Sequence, residues 1–559
     1  MNANVITQNG PDSGDIQYES LCILHFNDCY NVEPCDKEPV GGAARFVNAL
    51  HQFDHLDPLI LFSGDIIAPS IMSSFTKGEQ MLPVLERCNV HCALFGNHEF
   101  GSDFFSYSFR NEFTNNNAMN LIDFGLDCLL AFVARTNFPW LMSNVIDKNT
   151  GLPLGGGKIT HIIEKGDLKI GLIGLIEEEW LSTLVLDEDD IKYTDFVPEG
   201  RRLAKTLKEE NGVHFVIALT HMRTHNDIRL AEQVEEVDLI LGGHDHVYEI
   251  RKVNGKLVIK SGTDFRQFSK LTLVYDHGNH KIRDIQVDEI NITSDIGEDP
   301  YLITELNKFK TVLEEKMENT VAILDCDLDG RFSSVRTKET NLGNLITDVM
   351  LYAVPDADFA LLNSGTLRSD RIHPKGALKM RDLVNILPYM ESLLVINIDG
   401  RQTYRALENG VSQFPKFEGR FPQVSGISFK FDPSKPSGSR VDINSIMIQG
   451  EPLVEDKIYK MVTKEFIVQG KDGYEVLKEC SIYKNTEQCL TLLQAVNEYL
   501  ETYKLIQALN DNSIISNGKK NSIRRNSLKI ILPQAAANLK NSNDYVCHLN
   551  PQMENRIII

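Results

Sequence analysis

The sequence predicts an α/β chain of two domains, and three observations predict it. Short continuous apolar runs recur through the first half, helical patterns lie between several of them, and a second pattern of the same kind follows a charged, helix-like stretch near residue 300. Runs of four to six apolar residues are the mark of strands buried on both faces, where neither side meets water. At 559 residues the chain exceeds what one ordinary core supports, so two domains with connecting segments are expected.

In chain order, residues 1–19 form a polar N-terminal segment without the basic-then-apolar profile of a signal peptide. The first strand, 21–26, runs into Asn27 and Asp28, and a helical pattern covers 41–51. Strand 59–62 then ends at Ser63-Gly-Asp65, and strand 92–95 ends at Gly96-Asn-His98. After a helical pattern over 200–210, strand 215–220 delivers His221, and strand 237–241 delivers Gly242-Gly-His-Asp-His246. In all five cases Asp, Asn or His stands at or just past the carboxyl end of the strand, the edge at which open α/β sheets build their sites. This domain is expected over 20–292, followed by a linker helix within 293–320 and a second α/β domain over 321–505. The last part, 506–559, reads as a mobile, Asn/Ser/Lys-rich segment whose short apolar end packs back.

Composition narrows the function. A net charge of −21 repels nucleic-acid backbones and anionic membranes, so neither is an expected partner. No apolar run reaches the ~18 residues of a membrane helix. The ten cysteines form no CxxC pair, which points to a reduced, cytoplasmic setting. The one dense basic stretch surrounds Lys519, Lys520, Arg524 and Arg525, and Arg524-Arg-Asn-Ser527 resembles a basic kinase site. An acidic chain acting on an anionic small molecule needs concentrated positive charge, which metal ions supply.

The candidate metal ligands are Asp28, Asp65, Asn97, His221, His244 and His246. A pair of divalent ions needs several oxygen and nitrogen donors, with one carboxylate able to bridge ions ~3.5–4 Å apart. Such donors suit two ions drawn from Mn, Zn, Co, Fe or Mg better than calcium, which prefers oxygen alone.

The ordered motifs carry a family resemblance. Phe26-Asn-Asp28, Ser63-Gly-Asp65, Gly96-Asn-His-Glu99, Thr220-His221 and Gly243-His-Asp-His246 resemble the calcineurin-like metallophosphoesterase signature. In the second half, the motifs at 339–344, 363–368, 421–426 and 470–474 resemble the C-terminal domain of the 5′-nucleotidase family. The resemblance implies a four-layer α-β-β-α sandwich followed by a second α/β domain. It gives Asp65 the bridging role, Asp28 and His246 one ion, and Asn97, His221 and His244 the other. His98 would stabilise charge on the phosphate or the leaving oxygen. The implied reaction is release of phosphate from a small phosphate ester, in first place a nucleoside 5′-monophosphate, by attack of a metal-activated hydroxide. A sugar or glycerate phosphatase, or a non-catalytic binding protein on the same fold, are the alternatives.

Phe421 and Tyr474 would clamp the base, Arg368 and Arg336 would face the phosphate, and the turn at Asn363 and Gly365, with Gly426, would line the substrate. Two departures stand out. Tyr30 occupies the position where relatives have His, and a phenol with pKa near ~10 is a poor neutral ligand, so a weakened ion, or Asn31 or water as substitute, is expected. An extra segment, 101–122, separates His98 from Asp123, its expected orienting partner, with Asp103 the second choice.

Overall fold

A computed structural model describes residues 18–67, 70–100, 126–179, 181, 190–389, 391–511 and 546–559. They fall into two compact units that part near residue 313. Asp123, Asp103, the 101–122 insertion, residues 1–17 and Ser527 lie outside the described residues.

The first unit is built on two six-stranded sheets. One runs in the order Lys281–Asn291, Gln267–Asp276, Tyr18–Phe26, Leu59–Phe62, Cys92–Leu94, Trp140–Leu141. The last four strands of that order are parallel, with Ile23 opposite Leu59, Leu61 opposite Cys92 and Ala93 opposite Trp140. The other sheet runs Tyr248–Val253, Lys256–Ser261, Leu239–Gly243, Phe215–His221, Leu168–Ile176, Thr160–Lys165, its middle four strands parallel. Parallel neighbours put all their carboxyl ends on one edge, which gathers the polar strand-end residues.

Side-chain alternation sets the layers. In the second sheet Ile170, Leu172, Ile217, Leu219 and Leu241 share one core with Leu94 and Leu141 of the first. Their neighbours Ile173, Leu175, Val216, Ala218 and Ile240 point the other way, onto Leu203 and Leu207 of helix Phe196–Glu209 and Leu230 of helix Thr224–Gln233. Beyond the first sheet, Phe46 of helix Ala43–His51 meets Phe26 and Phe268 edge-on, at 5.1 and 5.4 Å. The result is an α-β-β-α sandwich, and it explains the continuous apolar runs: these strands are covered on both faces. At Gly174 the sheets touch so closely that a Cβ would lie 2.5 Å from Leu141 Cβ.

The second unit centres on a five-stranded sheet ordered Pro422–Ser425, Phe359–Asn363, Ile458–Lys464, Leu393–Asp399, Ser481–Lys484. Helix Asn341–Ala353 starts where Thr340 Oγ1 accepts the Gly343 N–H, and helix Gly400–Val411 starts at a reciprocal Asp399–Gln402 capping pair. Helix Pro300–Met317 covers the stretch read as a linker.

The described residues of the C-terminal segment are built into the second unit, and its apolar end packs back. Helix Leu492–Asp511 continues past residue 505, Cys547–Leu549 pairs with Thr320–Leu324, and Ile557–Ile558 pairs with Ile427–Phe431. Buried Glu339 accepts the N–H groups of Glu554 and Arg556, and the Arg556 guanidinium pairs with Asp348 at 2.8 Å. A buried carboxylate and a largely buried guanidinium both need partners, so this tail is built into the unit.

Candidate metal centre

Five loops at the carboxyl edge of the first unit's sheets bring the six predicted ligands together. Asp28 follows the first strand, its N–H bonded to Gly64 O at 2.9 Å, and its Oδ2 accepts the His244 N–H at 2.8 Å. Asp65 is 1% exposed, and its Oδ1 accepts the His98 N–H at 2.9 Å. Its Oδ2 lies 3.2 Å from His221 Nε2 and 2.9 Å from Tyr30 Oη. Asn97 Oδ1 is 3.2 Å from the same His221 nitrogen. His221 Nδ1 donates to Ser63 O at 2.8 Å, which fixes the tautomer and turns the Nε2 lone pair inward. His246 Nε2 is 3.3 Å from Asp28 Oδ1.

Two groups of donors result. Donor atoms of Asp28, Asp65 and His246 lie within 4.8 Å of one another, and so do those of Asp65, His221 and His244. Asp65 belongs to both, which is the position a bridging carboxylate must hold. Asp28, Asp65, His244 and His246 all have positive φ, between 52° and 82°. Each such residue costs about 1–3 kcal/mol in a region that favours glycine, a cost that gathers where side-chain aim matters more than backbone ease.

The electrostatics suit cations. Asp28 and Asp65 are buried carboxylates whose nearest positive partners are imidazoles. Burial alone would depress the His221 pKa, but the Asp65 and Asp28 charges outweigh it and raise it. His244 is held well below its ordinary value by burial and by the charge of His221. Burial also depresses His98, against the pull of Asp65, so its imidazole is neutral at ordinary pH. Carboxylate, amide and imidazole donors converging in this way fit a pair of divalent ions.

Sequence reasoning left several supporting residues without a role. Buried Glu99 accepts the N–H groups of Asp65, Ile66 and Gly96, tying two ligand loops together. Buried Glu177 accepts from Arg223 N and Asn226 Nδ2, with Oε1 3.5 Å from His244 Nε2. It stands just past a buried strand, the same signal that marked the other five loops. Asn31 is corrected as a substitute ligand: it is exposed and its amide donates to Asp264 at 3.3 Å. Tyr30 Oη, instead, lies within the first donor group.

In the second unit, Arg336 and Arg368 share a rim. The Arg336 guanidinium lies 3.8 Å over the Phe332 ring and donates to Phe417 O, while that of Arg368 lies 5.9 Å over the same ring. Burial and the Arg368 charge depress the Arg336 pKa. Asn363 Nδ2 donates to Asp472 Oδ2 at 2.8 Å, and Gly365 N donates to Gly419 O at 2.9 Å. The base clamp is corrected. Phe421 is 2% and Tyr474 0% exposed, both inside the unit's apolar core, and Tyr474 Oη donates to Arg420 O. Neither ring offers a face to a base. The exposed aromatic beside Arg336 is Phe417, at 56%. Gly426 is corrected likewise: at φ +74° its missing Cβ leaves room for Asp358 O, so it serves a turn.

Comparison with known proteins matches two family models in series. Residues 21–248 match the calcineurin-like phosphoesterase model, and residues 319–479 match the 5′-nucleotidase C-terminal domain. The chain is 28% identical over 511 residues to the snake venom 5′-nucleotidase of Gloydius brevicauda, covering 82% of each chain. It is 29% identical over 490 residues to the trifunctional nucleotide phosphoesterase protein YfkN of Bacillus subtilis, covering 82% of this chain and 32% of that longer one. The NAD nucleotidase of Haemophilus influenzae has the same fold at 19% identity, with a TM-score of 0.67 over 86% of this chain and 96% of that one.

Proposed function

We propose that this chain, which belongs to the 5′-nucleotidase family of calcineurin-like phosphoesterases, hydrolyses nucleoside 5′-monophosphates to nucleoside and orthophosphate. The observation that carries the reading is Asp65: one buried carboxylate shared by two donor groups, at a strand end, beside a neutral imidazole. Divalent ions bound there supply Lewis acidity, acidifying water for attack and drawing charge from the phosphoryl oxygens. Asp28 and His246 would hold one ion, Asn97, His221 and His244 the other, and Asp65 would be shared between them. His98, with its backbone anchored on Asp65, places its imidazole beside the Tyr30 ring and serves the charge that develops on phosphate or leaving oxygen. In the second unit, Arg336 and Arg368 supply the guanidinium forks that anionic substrates select. The nucleotide as substrate is supported by the named activities of the relatives.

A cytoplasmic setting is supported by the cysteines, since the nine whose side chains are described are free thiols. Among the described residues, no helix is long and apolar enough to cross a membrane.

Orthophosphate release from AMP, beside a sugar phosphate and an aryl phosphate, tests the reading. Activity should appear with Mn, Co, Zn or Mg, vanish on chelation and return on reloading. Asp65→Ala should lose more than about a hundredfold, since even outer partners of metal ligands cost 10–100-fold. A variant as fast as the parent would end the proposal, and preference for the sugar phosphate would move it to the other substrate class.

A further inference from the structure

In the second unit, strands Phe359–Asn363 and Ile458–Lys464 lie side by side and parallel, and each ends in a polar residue at the same edge of the sheet. Carboxyl edges of open α/β sheets are where ligands bind. Asn363 is expected there from its motif; a lysine closing a strand reads instead as a solvated end. Yet Lys464 is 3% exposed. Its ammonium pairs with Glu391 and donates to Thr366 Oγ1 at 3.0 Å. Thr366 Oγ1 in turn donates to Asn363 Oδ1 at 2.9 Å, and Asn363 Nδ2 donates to Asp472 Oδ2 at 2.8 Å.

The two ends of this series dictate its direction. An ammonium only donates and a carboxylate only accepts. Thr366 therefore gives its one hydroxyl proton to Asn363 Oδ1, and the amide has one orientation, oxygen toward Thr366 and nitrogen toward Asp472. Without a donor-only group at the buried end, the hydroxyl is free to turn and the amide with it, since an amide turned by half a rotation keeps nearly the same shape. Burial lowers the Lys464 pKa, and the Glu391 and Asp472 charges oppose that. The far end of the series bears on the cationic rim, because the Asp472 charge works against the burial that lowers Arg336. Asp472 itself stands at φ 53°, its carbonyl accepting the Asn409 amide at 3.1 Å, so its backbone is held as well.

We propose that Lys464 is a positioning residue for substrate selection. Through Thr366 it fixes the direction of the Asn363 amide, and with it the donor and acceptor that the second unit presents to the nucleoside part of the substrate. The proposal rests on the nucleotide reading above and deepens it. Asn363 Nδ2 keeps one N–H beyond the one given to Asp472, and Oδ1 keeps one lone pair beyond the one facing Thr366. Turning the amide exchanges that donor for that acceptor. Lys464 acts on the substrate only through Thr366 and Asn363.

AMP and IMP supply the probe, because adenine and hypoxanthine carry opposite donor and acceptor groups along one edge. The full-length chain, loaded with Mn, is assayed for kcat and KM on both nucleotides as the parent, Lys464→Met, Lys464→Arg and Thr366→Val. Glu391 is partly exposed, so water takes over its charge in the Met variant. The Met and Val variants should shift the AMP-to-IMP ratio of kcat/KM in the same direction by about tenfold, the scale of one hydrogen bond, and the shift should appear in KM rather than in kcat. Lys464→Arg, which still donates, should recover most of the parent's ratio. A ratio that stays put in Thr366→Val or in a folded Lys464→Met overturns the proposal, and so does an equal loss on both nucleotides, which a merely structural role would produce. If Lys464→Met does not fold, Thr366→Val decides, because it keeps the Lys464–Glu391 pair. A parent that releases phosphate from neither nucleotide overturns the nucleotide reading together with this proposal, whereas unmoved ratios in an active enzyme overturn this proposal alone.

Discussion

Four of the six ligand candidates carry left-handed backbone, yet none is a glycine, so at these positions side-chain chemistry overrides backbone preference. That chemistry is legible in residue type and order: Asp, Asn and His after apolar runs mark the candidate ligands that the structure brings together. Burial of a particular ring is not legible in the same way, because the Phe421 and Tyr474 motifs read alike whether the ring faces a ligand or a core. In the structure Phe421 packs within the second unit's core and Tyr474 fills space beside Gly410, where a Cβ would lie 3.1 Å from its hydroxyl. Phe421→Ala should therefore destabilise the second unit by about 3–5 kcal/mol, the cost of a large-to-small change in a packed core. Denaturant unfolding followed by far-UV circular dichroism measures it. A stable variant with specific loss of AMP affinity would restore Phe421 to the substrate.

At the scale of elements, the central strands were readable because both of their faces are covered, whereas the two-residue strand Trp140–Leu141 is too short to leave a pattern. Strand Lys256–Ser261 shows another limit. Its Lys260 interrupts an apolar run and reads as a surface residue, yet it is 1% exposed. Its ammonium donates to Met222 O and Gly243 O at 2.6 Å each and pairs with Asp227 and Asp245 at 3.0 and 2.9 Å. Burial lowers its pKa, but the two carboxylates outweigh that and keep it charged. Met222 follows His221 and Gly243 precedes His244, so one ammonium binds the two loops that carry the imidazoles. Lys260→Met strands a buried Asp227 and should cost about 3–5 kcal/mol. It should also raise the metal concentration needed for half-maximal phosphate release by about 10–100-fold, with Lys260→Arg recovering part of it. Metal titration curves that superimpose on the parent's would show that the loops hold their places without it.

For the whole molecule, the division into two α/β parts follows from length and from two successive apolar patterns, and the tail's apolar end points to its return but not to the strand it joins. Cys547–Leu549 pairs with residues more than two hundred positions earlier, and no local periodicity records a partner so distant. Each unit has its own apolar core, and the candidate metal ligands all belong to the first. Ions that bind only the folded first unit stabilise that unit by mass action, by about 2.7 kcal/mol for one ion at a hundredfold over its Kd. For a unit of this size that corresponds to about 5–10 °C in Tm. The chain offers a way to see one unit alone: both of its tryptophans, Trp140 and Trp180, precede residue 313 in sequence, where the units part. Trp140 is buried in the first unit and stacks on Phe95 at 4.8 Å, so its emission responds to loss of that core. Chelation should lower the melting midpoint seen by tryptophan fluorescence, and reloading should restore it. A second transition, seen by circular dichroism but silent in fluorescence, should stay where it was. If the fluorescence midpoint ignores the chelator, the buried carboxylates of Asp28 and Asp65 do not depend on bound ions, and the centre is not a metal site.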